Sequence, residues 1–123
     1  MIFEQQMDLL KKDNKPEWTR PSFPDVKGIQ QVAIDLETHD PEIKVLGGGW
    51  ATNKGFVVGV AVSFEGFDGY FPVRHKGGGN FSEEEVKKWL VKLFKEDPIV
   101  VCHNAIYDLG WLRRWGVECN VTK

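Results

Sequence analysis

Asp35 and Glu37 stand two residues apart in the run Gln31-Val32-Ala33-Ile34-Asp35-Leu36-Glu37-Thr38. The segment is apolar and β-prone around the two acids. On a strand, residues i and i+2 point to the same side, so that side carries two negative charges close together. Like charges this close repel, and one takes up a proton unless a cation sits between them. A divalent metal on oxygen ligands resolves the conflict most simply. An Asp-x-Glu at a strand end is also a common turn or cap arrangement, so the pair needs a second element before it carries chemistry.

That second element is His103-Asn104-Ala105-Ile106-Tyr107-Asp108, at an expected strand-to-helix junction. Strand-end loops of open α/β sheets are where sites are usually built. Asn104 and Asp108 are four apart and share one face of the helix start. Ile106, Leu109 and Leu112 can bury while Asp108 faces a crevice. By itself this piece reads as an N-cap asparagine and an aspartate complementing the positive helix end. If the strand before it pairs with the strand of Asp35, three carboxylates converge.

The elements that must position these residues follow from pattern. Residues 1–12 can form a short helix, and 14–24, with three prolines, reads as an extended arm. Ile29 to Leu36 is the first strand, and its near-continuous apolar stretch suggests burial on both faces. Asp40 to Lys54 is a loop containing Gly47-Gly48-Gly49-Trp50, which lacks the Gly-Lys-Ser/Thr of a phosphate loop. Trp50 is expected to pack, with base stacking or a lid anchor as the alternatives. Phe56 to Phe64 and Tyr70 to Val73 form antiparallel strands around a turn at residues 65–69. Ser82 to Lys95 is the clearest helix. Ser82-Glu83-Glu84-Glu85 forms a capping box, and Val86, Trp89, Leu90, Leu93 and Phe94 make one apolar stripe. Asp97-Pro98 stops it, Ile99 to Cys102 is a short buried strand, and Ala105 to Arg114 is a second helix ended by Gly116. The order is β-β-β-α-β-α, an α/β fold with a mixed sheet whose fourth strand can lie parallel to the first.

With 123 residues, 41% hydrophobic and 28% charged, the chain has ordinary globular composition and a modest core. The net charge of −2 excludes a global basic field, so any nucleic-acid contact must be local. No apolar run is long enough to span a membrane. The first residues show neither a basic n-region nor an apolar h-region, so no signal peptide is expected. Cys102 and Cys119 form no Cys-x-x-Cys pair and are expected to be reduced thiols in a cytoplasmic setting, Cys102 as a small core residue.

The motifs resemble a known family. Ile34-Asp35-Leu36-Glu37-Thr38 and Asn104-Ala105-Ile106-Tyr107-Asp108 look like the first and second motifs of the DEDD 3′–5′ exonucleases. Residues 103–112 look like the proofreading domain of family A DNA polymerases, particularly those of bacteriophages. Tyr70-Phe71-Pro72-Val73-Arg74-His75 is similar to the third strand of such domains. The resemblance covers roughly residues 29–117. It divides the chain into an N-terminal helix and arm over 1–28 and the first part of an exonuclease domain over 29–123. It implies a ribonuclease H-like fold and two-metal hydrolysis of the 3′-terminal phosphodiester of DNA, in the host cytoplasm if the source is a bacteriophage. Asp35 would bridge two Mg²⁺ or Mn²⁺ ions, Glu37 would ligate the one that activates water, and Asp108 would hold the second. Leu36, Thr38, Asn104 and Tyr107 would line the pocket for the 3′-terminal nucleotide of a single strand.

One part of the family pattern is missing. Its third motif, Tyr-x-x-x-Asp, supplies a tyrosine that orients the attacking water and a fourth carboxylate. After Asp108 this sequence has no aspartate, Glu118 is its one acid, and Tyr70 and Tyr107 are its two tyrosines. The expectation is an incomplete domain, weakly active or inactive alone. Its fourth strand would be left as an open edge for a polymerase domain, a second chain or a second copy to cover. The alternatives are a catalytically inactive module of the same fold that binds DNA ends or a replication partner, and an unrelated α/β protein with a zinc site among His39, His75, Cys102 and His103. No zinc-type ligand spacing supports the last.

Overall fold

The computed structural model of the chain describes residues 18–119. The helix expected over residues 1–12 lies outside them. Four strands form one mixed sheet: β1 (Gln31–His39), β2 (Phe56–Phe64), β3 (Phe67–Pro72) and β4 (Ile99–Val101), in the spatial order β3-β2-β1-β4. β1–β2 and β2–β3 are antiparallel, and β4 runs parallel to β1. Two one-turn helices, α1 (Ile43–Leu46) and α2 (Gly49–Thr52), lie between β1 and β2, in the segment read as plain loop. Helix α3 (Glu83–Lys95) joins β3 to β4, and α4 (Ala105–Trp115) follows β4.

β1 alternates strictly up to Glu37. Val32, Ile34 and Leu36 are buried, while Gln31, Ala33, Asp35 and Glu37 are exposed. The expected burial on both faces therefore does not hold. One face packs under α3, α4 and the aromatic cluster; the other is open. Ala33 made the stretch read as continuously apolar, but a methyl group this small tolerates solvent at little cost.

α3 buries the stripe its spacing predicts: Val86, Trp89, Leu90, Leu93 and Phe94. Each such burial contributes about 1.5–3 kcal/mol relative to exposure. Ser82 occupies the N-cap position but its side chain makes no cap hydrogen bond, so the capping box does not form. Glu83 is engaged instead by Trp115, whose indole N–H donates to it at 2.9 Å. Three glutamates in the first turn still complement the helix dipole.

Beyond Pro21 the arm is part of the core. Phe23 stacks on Phe71 at 5.2 Å between centroids, and the Trp89 indole N–H donates to the Pro24 carbonyl at 2.9 Å. The β2–β3 turn is tighter than expected, a two-residue loop of Glu65 and Gly66, with Phe64 paired to Phe67. Gly66 at φ 87° supplies the left-handed conformation such a turn demands. β4 is less buried than its composition suggests. Ile99 and Val101 are exposed because, in register with Gln31 and Ala33, they face the open side of the sheet, while Val100 between them is half-buried.

Candidate active site

The carboxylates of β1 lie on its open face. Asp35 and Glu37 point away from the helices, as residues two apart on a strand must. Just past Glu37 the β1–β2 register breaks: Glu37 pairs with Gly59 and Thr38 with Val57, so Val58 is bulged. Bulges re-aim the side chains beside them. The Val58 carbonyl accepts from the amides of Val73 and Arg74, the two residues just past β3.

Asp108 comes from the first turn of α4. It is 3% exposed, the one charged or polar side chain counted among the buried residues described. Leu112 buries as expected and Leu109 is half-buried, but Ile106 does not bury and Asp108 does. Asp108, Trp111 and Leu112, at i, i+3 and i+4, form the face turned to the sheet, and Ile106 is left 77% exposed on the opposite side. Burial pushes the Asp108 carboxyl up from its ordinary range, and the negative charge of Asp35 pushes it further. The backbone amides of Leu36 and Asn104, with His103, work in the opposite direction. A carboxylate held up by a neighbouring carboxylate is the situation that a bound cation relieves.

Glu37 has a different neighbour. Its charge acts on Tyr70, whose hydroxyl is raised to about 12, first by burial and then by Glu37. The reason is Gly59, opposite Glu37: a Cβ there would sit 2.1 Å from the Tyr70 hydroxyl oxygen, so only glycine leaves room for that ring. The Tyr70 hydroxyl is hydrogen-bonded to His75 Nε2 at 2.5 Å. The structure thus couples Asp35 to Asp108 and sets Glu37 beside Tyr70. Among the described residues, no group of three or more His, Cys, Asp or Glu is arranged to hold a metal ion. The donor chemistry suits a hard divalent ion, but the arrangement stops short of a cage.

The other expected pocket residues are close by, with their polar atoms already used. Asn104 caps α4, its Oδ1 accepting from the Tyr107 amide at 3.2 Å. Leu36 is buried in the core face of β1. Thr38 and Tyr107 are joined through their hydroxyls at 2.8 Å. The Tyr107 hydroxyl donates to Asp40 Oδ2 at 2.8 Å, and the Gly49 amide donates to the same oxygen at 2.9 Å. Asp40 had not been singled out in the sequence; an Asp-Pro step ahead of a triple glycine was the available signal. Trp50 takes the packing role expected of it, with its ring against Gly110. Cys102 lies at the end of β4 with its thiol pushed up to about 11, chiefly by burial and then by the charge of Asp108.

No family model matches the chain. A DNA-directed DNA polymerase of Pseudomonas phage M6 is 37% identical to it over 110 residues. The chain is related to part of a phage DNA polymerase. The match covers 83% of the chain and 16% of that polymerase, so the chain spans about a sixth of its relative's length. No helix among the described residues is long and apolar enough to cross a membrane.

Proposed function

We propose that the chain forms the first part of a ribonuclease H-like 3′–5′ exonuclease domain of a DNA polymerase, acting on the 3′ end of single-stranded DNA. The observation that carries this reading is the burial of Asp108 in the first turn of α4, next to the strand that bears Asp35, with burial first and the charge of Asp35 second raising its carboxyl. The parallel β1–β4 pairing supports it, because that pairing brings the start of α4 to β1. The relationship to a phage polymerase supplies the biological setting.

In this reading Asp35, Glu37 and Asp108 hold Mg²⁺ or Mn²⁺. The ions supply charge neutralisation for the attacking and leaving oxygens of phosphodiester hydrolysis. The open face of the sheet gives the strand its approach. A groove of about 720 Å³ runs there past Ala33, Asp35, Ala61 and Val101. The third-motif tyrosine and aspartate have no counterpart after Asp108 in this sequence.

Digestion of 3′-labelled single-stranded DNA with Mg²⁺ or Mn²⁺ tests the reading. Asp35→Ala is expected to reduce cleavage at least about 100-fold, the usual scale for a group that stabilises developing charge. Cleavage at equal rates by wild type and Asp35→Ala would sink it. A second reading, an inactive module that binds DNA ends, is favoured by the lack of a three-ligand group among the described residues. It predicts no cleavage, together with 3′-end binding that is indifferent to Asp35.

A further inference from the structure

Asp40 stands outside the carboxylate set, yet it ties three elements together. Its Oδ2 accepts from the Tyr107 hydroxyl and from the Gly49 amide. A phenol has one proton. With that proton committed to Asp40, the 2.8 Å bond between Thr38 and Tyr107 must run from the threonine hydroxyl. The chain of donors is therefore Thr38 to Tyr107 to Asp40, joined at Asp40 by the Gly49 N–H. It links the end of β1, the first turn of α4 and the start of α2.

A second contact lies one helical turn further along the same face of α4. Gly110 is three residues after Tyr107, and a Cβ there would fall 2.5 Å from the Trp50 ring. Segment 41–54 is thus docked on α4 by an apolar contact at Gly110 and, through Asp40, which accepts from both the Gly49 amide and the Tyr107 hydroxyl, by a polar link to Tyr107. Gly49 fits the latch for a similar reason: a Cβ would meet the Lys54 carbonyl oxygen at 1.8 Å and Asp40 Oδ1 at 2.8 Å.

We infer that Asp40 is a positioning residue: it fixes the Tyr107 ring and docks segment 41–54 beside it, so that Tyr107 meets a 3′-terminal nucleobase with its ring face and not with its hydroxyl. The ligand in this statement rests on the exonuclease reading; the latch does not. The hydroxyls of Thr38 and Tyr107, both expected to line the pocket, are spent within the protein. Stacking on a ring face is tolerant of base identity, which suits a site that must accept any 3′ end.

Hydrogen exchange followed by mass spectrometry reads the latch on the chain as it stands. Fluorescence anisotropy with a 3′-hydroxyl oligo(dT) in EDTA reads binding. Asp40→Asn is expected to speed exchange across residues 41–54 and weaken oligo(dT) binding, each by about tenfold, the scale of one charge-assisted hydrogen bond. Tyr107→Phe, which keeps the ring and the fold, should do the same. The Asp40→Asn/Tyr107→Phe pair should be no worse than either single change, since both cut one connection. Unchanged exchange in both single variants, or additive losses in the double variant, would overturn the inference. So would Tyr107→Ala binding oligo(dT) as well as Tyr107→Phe, because the ring would then contribute nothing. Asp35→Ala separates the two readings: an unaltered cleavage rate there fails the exonuclease reading, while exchange and non-additivity still report on the latch.

Discussion

The two faces of β1 differ in what holds them. Val32, Ile34 and Leu36 face the helices and are packed to near-complete burial. Ala33, Asp35 and Glu37, interleaved with them, are exposed on the other face, where Ala33 and Asp35 line an open groove to which other strands contribute Ala61, Ser63 and Val101. One face is large and branched, the other small and charged. The first cannot change without leaving a void or forcing strain. The second has little to lose by packing and is free to carry charge that a core would not tolerate. Folding and chemistry are divided between alternate residues of a single strand.

The sharpest way to break this comparison is to change one residue on each side of the sheet. Leu112→Ala, at a fully buried position on α4, is expected to cost about 2–5 kcal/mol. Ala61→Ser on the open face is expected to stay within about 0.5 kcal/mol of wild type. Urea denaturation measures both. Comparable losses at the two positions would mean that the open face is packed in solution, by another segment or another copy.

The same division explains what could be read from the sequence. The stripe of α3 was legible because five large apolar residues recur at helical spacing, and all five are buried. The exposure of β1 was not, because Ala33 counts as apolar without needing burial. At one position of α4, Ile106, the expected burial fails for a related reason, while Leu112 buries as expected. Ile106 is apolar and Asp108 charged, yet the helix turns Asp108 inward, where the Leu36 and Asn104 amides favour its carboxylate. For Asp40 the local sign, an Asp-Pro step ahead of a triple glycine, does not reveal its partner: Tyr107 is 67 residues away, and only the fold brings them together. Thr38 and Tyr107 were named from their motifs, but the hydrogen bonds that join them to each other and to Asp40 span 67 residues or more and had no trace in the sequence.

A smaller effect sharpens the boundary between the faces, where segment 41–54 meets α4. Gly110→Ala adds one methyl group to a helix interior, a change that on propensity alone would stabilise by about 1 kcal/mol. Here the added Cβ falls 2.5 Å from the Trp50 ring. Overpacking of that kind costs about 1–3 kcal/mol, so the net outcome is destabilisation with Trp50 displaced. Trp50→Ala in the same chain should reverse the sign, because the obstructing ring is gone and the helical preference for alanine remains. Thermal unfolding of the two variants and their combination reads it; a stabilising Gly110→Ala in the presence of Trp50 would mean that the segment does not dock on α4.

The smallest expected effect concerns the one acid that crosses between the faces. Asp108 is buried like a core residue and charge-coupled to Asp35 on the open side. Its pKa is raised in the folded state, so the fold favours the protonated form. Its contribution to stability is therefore fully present below the unfolded-state pKa, near 3.9 for an aspartate, and is lost as pH rises through the folded pKa. Asp108→Asn removes the charge and keeps the shape. In EDTA it is expected to raise Tm by a few degrees at pH 7, and that advantage should shrink as pH falls toward 4. Adding Mn²⁺ at pH 7 should narrow the gap from the other side by stabilising wild type and not the variant, since a bound cation offsets the Asp35–Asp108 repulsion that the substitution abolishes. An Asp108→Asn advantage that persists unchanged from pH 7 to pH 4 would mean that packing, and not charge, sets the difference, and Asp108 would then belong wholly to the core.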